Sequence, residues 1–275
     1  MIGRGAARSL WLAGAILAGC AYAQQTPSAA PHAATSQANT VGVPNPRSAS
    51  ETVRRWAKGR YLYTALQERR ARGSEEFHLT VYADGSRSLL FWHDLFARHS
   101  QFTVALRVGA DWRPQEAYVN YYSGGAFKGS AHLLVAGNRL SGSSRGPSGV
   151  VSHAVEVPER FSIGAHPVAA DGWHTAHAPN PRQKVPIYTL EASADIGKPP
   201  LGRLTEVDCE FVGRETITVP AGTFETLRYR LAGANDIWIM PEDRIVVRMV
   251  SERLDRGYVL EEFYREDLTQ LRPRS

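Results

Sequence analysis

Cysteine is scarce: the 275 residues contain two, Cys20 and Cys209. One sits inside a processed leader, so no intrachain disulfide framework is available and stability has to come from a packed core. Helical periodicity is scarce as well. Beyond about residue 58, apolar residues rarely recur at i, i+3 and i+4, which excludes a fold built mainly on helices. No apolar run reaches the length of a membrane-spanning helix. Charge of one sign is also missing. The formal net charge is +5, and loss of Arg4 and Arg8 with the leader takes two from the 32 basic residues, leaving 30 against 27 acidic ones. Bases and acids are interleaved, as in Glu68-Arg69-Arg70-Ala71-Arg72 and Glu252-Arg253-Leu254-Asp255-Arg256. Such mixing reads as solvated strand ends and turns, not as a stripe for nucleic acid, so no nucleic-acid partner is expected.

What is present begins with an export signal. Arg4 and Arg8 precede a short apolar stretch from Leu10 to Leu17, the layout of a leader that is removed. Two cleavage sites compete. Leu17-Ala18-Gly19-Cys20 resembles the lipobox of bacterial lipoproteins, whereas Ala21-Tyr22-Ala23 before Gln24 fits the small-residue rule of ordinary secretion. The lipobox is the favoured reading. It implies acylation of Cys20 and tethering to a membrane, each buried methylene of the acyl chains contributing about 0.8 kcal/mol. Ala21 follows Cys20 where an Asp would tend to retain a lipoprotein at the inner membrane, so the expected location is the periplasm, tethered to the outer membrane. The alternative is a soluble periplasmic or secreted protein.

Three segments are therefore expected: a leader over residues 1–23, a disordered tether over 24–50 rich in Gln, Ser, Ala and Pro, and one β-rich domain over 51–270. His32 lies in the tether and needs no role. Residues 51–58 (ETVRRWAK) are expected to form a short helix or turn with Trp56 against the sheet. Strands are predicted from alternation and turn chemistry at 60–67, 77–83, 88–93, 102–108, 116–122, 131–135 and 150–157. A long connection rich in His and Pro covers about 166–186, and further strands are predicted at 205–212, 215–219, 225–231, 236–240, 245–250 and 258–264. Strands at this spacing without helices between them indicate an all-β fold, an antiparallel meander curled into a barrel or half-barrel.

One segment carries a resemblance. Gly213-Arg214-Glu215-Thr216-Ile217-Thr218-Val219-Pro220-Ala221-Gly222-Thr223-Phe224, followed by Asp236-Ile237-Trp238 and the strand Ile245 to Met249, resembles an exported bacterial family of unknown function marked by a G-x-E-x-I-x-V-P-A-G-x-F hairpin. Val247 stands where that family often has proline. The resemblance covers about a fifth of the chain. It implies a curved antiparallel sheet similar to lipoprotein-carrier half-barrels and lipocalin-like barrels, which often hold apolar ligands, and it supplies no catalytic residues. Physically, Pro220-Ala221-Gly222 reads as a tight turn and Phe224 as a core side chain.

Candidate chemistry is sparse. Asp171, His174 and His177 recur at three-residue steps, and such a set can supply acid–base groups or, less in keeping with a stretch lacking helical pattern, zinc or iron ligands. His93, beside Asp94, is a second acid–base candidate at a strand end. His78, His132 and His153 sit in predicted strands, where the curvature of the sheet decides whether they face a cavity. Gly142-Ser143-Ser144-Arg145-Gly146 matches G-x-S-x-G in form, but the strand-to-helix context of a nucleophile elbow is missing, and a polar hairpin loop is the better reading of Ser144. Trp92, Tyr118, Tyr122, Trp173 and Trp238 are candidate cavity aromatics. The functional expectation is an exported, lipid-anchored protein that binds a hydrophobic or amphipathic small molecule or lipid, with no cofactor. The alternative is a cofactor-independent lyase, isomerase or hydratase using Asp171, His174 and His93 in the same cavity.

Overall fold

The computed structural model describes residues 52–268 except Pro167 and Ala234; the expected leader with Cys20 and the expected tether lie outside the described residues. The chain forms β1 (Val53–Ala65), β2 (Arg70–Tyr82), β3 (Arg87–Leu95), β4 (Ser100–Val108), β5 (Pro114–Ser123), β6 (Ala126–Ala136), β7 (Arg139–Gly146), β8 (Gly149–Glu156) and β9 (Ser162–Gly164). A helix, α1 (Val168–His174), follows, and then β10 (Arg182–Leu190), β11 (Gly202–Val219), β12 (Gly222–Leu231), β13 (Asn235–Ile239), β14 (Val246–Ser251) and β15 (Arg256–Asp267).

All strands belong to one sheet, which runs in chain order from β8 back to β1, crosses to β15, and continues down to β9. The pairings are antiparallel except that of β9 with β10. The expected curled antiparallel sheet is therefore the fold. Period-2 alternation builds it: Phe77, Leu79 and Val81 of β2 face the concave side, as do Leu89 and Phe91 of β3 and Phe102, Val104 and Leu106 of β4. Tyr61 and Tyr63 of β1, Ile237 and Ile239 of β13 and Val246 of β14 close the same core.

The sheet does not close by a backbone ladder, since β8 and β9 remain its edges. Side chains bridge the seam. The Tyr188 hydroxyl lies 2.5 Å from His153 Nε2 and accepts the Gly202 amide at 2.7 Å. The connection between β10 and β11 reaches across as well, its Ala192 and Ser193 carbonyls accepting the Tyr121 hydroxyl at 3.1 and 3.2 Å. Lys128, fully buried, donates to the Ser193 carbonyl at 2.5 Å.

Several local expectations are corrected. Residues 53–58 are strand and not helix: Arg55 and Ala57 alternate inward, and Trp56 points out, 44% exposed. The 166–186 connection contains α1 and the start of β10. Ser144 lies within β7 as a buried inward residue, not in a hairpin loop. The segments 205–212 and 215–219 are one long strand, β11, with a register shift between Phe211 and Gly213. Phe224 is only half-buried, its ring edge-on to Phe263 at 6.0 Å. Cys209 is buried and free.

The family-like hairpin turns at Pro220-Ala221, with Val219 paired to Gly222 at φ 135°. Its polar residues form a cluster on the convex face. Glu215 accepts Arg228 at 3.0 Å and the Trp238 indole at 2.7 Å. Asp236 accepts Arg228 at 2.9 Å and Arg230 at 3.1 Å. Trp238 is flanked by the Arg228 and Arg248 guanidiniums at 4.9 and 5.3 Å. The motif thus ties β11, β12, β13 and β14 together from outside.

Candidate functional site

The site starts from a carboxylate placed against the usual rule for strands. Glu75 lies on the apolar, concave face of β2, two residues before Phe77, and its side chain is fully buried. Burial of a charge is costly unless donors surround it, and α1 supplies them. The Val168 and Ala169 amides, unsatisfied at the helix start, donate to Glu75 at 2.9 and 2.8 Å. The Tyr63 hydroxyl donates to the same carboxylate. This cap explains why a stretch without amphipathic pattern is helical: the partner that stabilises it comes from a strand 93 residues earlier.

The far end of α1 is anchored too. The Trp173 indole donates to the Asp243 carbonyl at 3.1 Å, and Asp243 in turn pairs with buried Arg55 at 2.6 Å. At Gly172 the Arg244 carbonyl approaches so closely that a Cβ would sit 1.8 Å from it.

From Glu75 a chain of hydrogen bonds reaches His93. Tyr63 has one proton, which it gives to Glu75; its oxygen therefore accepts from His93 Nδ1, 3.0 Å away. In the neutral ring that assignment makes His93 Nε2 an acceptor, and this buried atom has no protein partner among the described residues. Burial, with Glu75 second, pushes the Tyr63 hydroxyl pKa well above its ordinary value, so the phenol stays protonated. Asp94, the sequence neighbour expected to orient His93, faces the other side of β3 and accepts the Trp92 indole at 3.1 Å.

On α1, Asp171 and His174 are one turn apart, with His174 Nε2 3.5 Å from Asp171 Oδ1 and His174 Nδ1 2.7 Å from the Ser162 hydroxyl. Burial raises the Asp171 pKa, opposed by the hydrogen bond and charge of His174. Ser162 is buried in β9 and does not line the cavity, which removes it as a nucleophile. His166 stacks on Phe102 at 4.8 Å and meets His93 edge-on at 5.3 Å. Its ring is partly open to the cavity, yet the surrounding protein pushes its pKa down to about 3, burial being the largest cause, with His93, Arg256 and Arg98 adding to it.

His93, Asp171 and His174 line one cavity of about 290 Å³. It lies at the end of the sheet where the β1–β2, β3–β4, β12–β13 and β14–β15 turns gather. Leu95, Val168, Ile187, Val207, Leu231 and Met249 supply apolar walls, and Arg72, Arg98 and Arg256 reach it from those turns. Arg72 is the extra residue of a bulge between β1 and β2, where Tyr63 pairs with Gly73 and Thr64 with Ala71.

The remaining candidates lie elsewhere. Trp92 and Tyr118 are 55% and 47% exposed on the convex face, with Tyr122 also facing outward. Trp173 is in the core and Trp238 in the convex cluster, so none of the five aromatics lines this cavity. His177 is buried and does not line the cavity, its pKa pushed down to about 4 chiefly by burial, with His174 second. Among the described residues no three His, Cys, Asp or Glu side chains converge as metal ligands. His78 and His132 face outward. Glu75, Tyr63 and the three arginines were not singled out by sequence. For Glu75 a signal existed, because the Phe77, Leu79, Val81 alternation extended backwards places position 75 on the apolar face.

No protein-family model matches the chain, and no curated protein is similar to it. Among solved structures, the β-barrel-like protein of the domain of unknown function DUF1849 from Brucella abortus aligns over 80% of this chain and 100% of its own, with a TM-score of 0.51 at 9% identity. A DUF1089 family protein from Pseudomonas aeruginosa aligns over 63% of this chain and 87% of its own, with a TM-score of 0.39 at 14% identity. The first likeness is one of fold, a barrel-like sheet.

Proposed function

We propose that this chain is an exported envelope protein, tethered through an acylated Cys20 to the outer membrane, whose curled sheet binds a hydrophobic or amphipathic small molecule. The observation that carries the binding reading is the cavity of about 290 Å³ at one end of the sheet, apolar along its walls and polar at a few points. Its size and lining are those of small-molecule sites, which begin near ~300 Å³. Export and tethering rest on the leader and on the residues around Cys20. Mass spectrometry of the mature protein from its native membrane fraction, first under native conditions and then after organic extraction, tests both parts. Expected are acyl chains on Cys20 and a co-purifying amphiphile. An unmodified chain beginning at Gln24 would overturn the tether, and a ligand-free protein that takes up no amphiphile would overturn the binding reading.

A second reading is favoured by a specific observation. His93 Nε2 is an unpartnered acceptor held by Tyr63 and Glu75, and Asp171, with its raised pKa, lines the same cavity. A histidine and a carboxyl whose pKa burial raises, on one cavity, suit a proton-transfer lyase, isomerase or hydratase acting without cofactor. Solvent-deuterium incorporation into a bound, extracted ligand distinguishes this from simple binding. Incorporation that is lost in His93→Gln is the expected result for an enzyme, and its absence in the wild-type protein refutes that reading.

A further inference from the structure

Three residues on the cavity wall carry a buried polar atom without a protein partner among the described residues, Arg72, His93 and Ser251, and the first two make opposite demands. Arg72 Nη1 is a donor with no protein partner among the described residues, and His93 Nε2, assigned above as an acceptor, has none either. Each orphaned group carries a desolvation cost that a ligand of matching polarity relieves. His93 is 1% exposed, and the residue lines the cavity.

The cations that line the cavity are Arg72, Arg98 and Arg256. Several arginines elsewhere on the sheet are paired, Arg55 with Asp243, Arg228 with Glu215 and Asp236, and Arg265 with Glu242. Among the described residues no carboxylate lies within ion-pair distance of Arg72, Arg98 or Arg256, though all three line the cavity. Asp171 is the one carboxyl on that lining, and it faces His174, whose Nε2 lies 3.5 Å from Oδ1.

Building on the ligand-binding reading above, we propose that the cavity selects an anionic amphiphile: a carboxylate or phosphate head held by Arg72, Arg98 and Arg256, an aliphatic body against Leu95, Ile187, Leu231 and Met249, and a hydroxyl or amide on that body donating to His93 Nε2. The guanidinium fork suits either anion, because both present coplanar oxygens to it.

Calorimetric titration of the mature chain with octanoate, octyl phosphate, octanol, octyltrimethylammonium and β-hydroxyoctanoate tests this. The two anions are expected to bind at least about tenfold more tightly than octanol or the ammonium. The ratio between octanoate and octyl phosphate identifies which head the site prefers. In a double variant, Arg98→Gln with Arg256→Gln, the margin of octanoate over octanol shrinks by at least about fivefold, Arg72 alone remaining to hold the head. β-Hydroxyoctanoate is expected to exceed octanoate by about fivefold, an advantage that disappears in His93→Phe. Equal binding of octanol and the anions by the wild-type protein overturns the anionic head and leaves the cavity as an apolar site. Equal binding of octanoate and its β-hydroxy form overturns the donor to His93. If no probe binds, octanol included, the ligand-binding reading falls and this inference with it.

Discussion

Replacing Glu75 by Gln tests the centre of the site without changing its size. Three donors converge on the carboxylate: the Val168 amide at 2.9 Å, the Ala169 amide at 2.8 Å, and the Tyr63 hydroxyl. An amide side chain keeps one accepting oxygen and turns the other position into a donor. Set at the Oε2 position, its oxygen retains Val168 and Tyr63 while its NH₂ faces the Ala169 amide. In the opposite orientation Val168 and Tyr63 lose their acceptor. At least one buried donor is therefore orphaned against another, at a cost of about 1–3 kcal/mol per group, and the charge-assisted character of the rest is lost. Removing a buried charge offsets part of this. The expected net loss is about 2–4 kcal/mol.

In urea titrations with a slope of about 2–3 kcal/mol/M, that loss moves the midpoint down by roughly 1 M with little change in slope. Amide exchange localises it: Val168 and Ala169 should lose protection before the core strands β2 to β4 do. Tyr63→Phe removes one donor and leaves His93 Nδ1 without its acceptor, and combined with Glu75→Gln it should show a coupling of about 1 kcal/mol or more. A Glu75→Gln protein within about 0.5 kcal/mol of wild type, with Val168 and Ala169 still protected, would refute the view that a buried carboxylate builds α1.

Gly172→Ala should destabilise the protein by about 3 kcal/mol or more, since its Cβ would lie 1.8 Å from the Arg244 carbonyl and 3.2 Å from Ile239 Cγ2. Gly213→Ala, with nothing within 4 Å of its Cβ, serves as the comparison and should change stability by less than about 0.5 kcal/mol in a thermal melt. Acid should weaken the fold through His177, whose folded pKa lies at about 4 against an ordinary 6.5. The unfolded chain takes up that proton first as the pH drops, so the contribution is complete above pH 6.5 and is lost as the pH falls toward 4, amounting to about 3 kcal/mol at most. His177→Gln should flatten this part of the stability–pH curve, and an unchanged curve would show that His177 is not the group responsible.

Much of the fold was legible because alternation is a local property. Phe77, Leu79 and Val81 identify a strand and its buried face from seven residues, and Asp84-Gly85 marks the turn that follows, with Gly85 at φ 84°. What failed was non-local. The helix α1 owes its start to Glu75 of β2, and no pattern within residues 166–177 encodes that partner. The three residues of β9 pair in parallel with β10, an arrangement that depends on tertiary placement. The 51–58 segment looked helical because Arg54-Arg55 breaks an apolar alternation, yet Arg55 is an inward residue whose charge is met by Asp243 across the sheet. Of the residues that line the cavity, Asp171, His174 and His93 had been singled out by residue type. The aromatics were misplaced for a physical reason: large rings on the convex face, such as Trp92 over Asp94 and Trp238 between two arginines, are partly sheltered by neighbouring polar side chains and need no cavity.

The concave face also explains why the site lies where it does. A strand residue that points inward has to be apolar or find partners there. Arg55 finds Asp243, Lys128 finds the Ser193 carbonyl, and Glu75 finds two helix amides and a phenol. Each of these inward charges is used to fasten a segment that crosses the sheet: the 240s turn, the 190s connection, and α1. His93 lines the cavity: its Nδ1 is fastened through Tyr63, its buried Nε2 has no protein partner among the described residues, and the bulge that frees Arg72 leaves a second lining residue in the same condition. Unpartnered polar atoms also occur at Arg55 Nε, Arg228 Nε and His177 Nε2, but those of Arg72, His93 and Ser251 belong to residues gathered on one cavity, which is the physical ground for locating function at this end of the sheet.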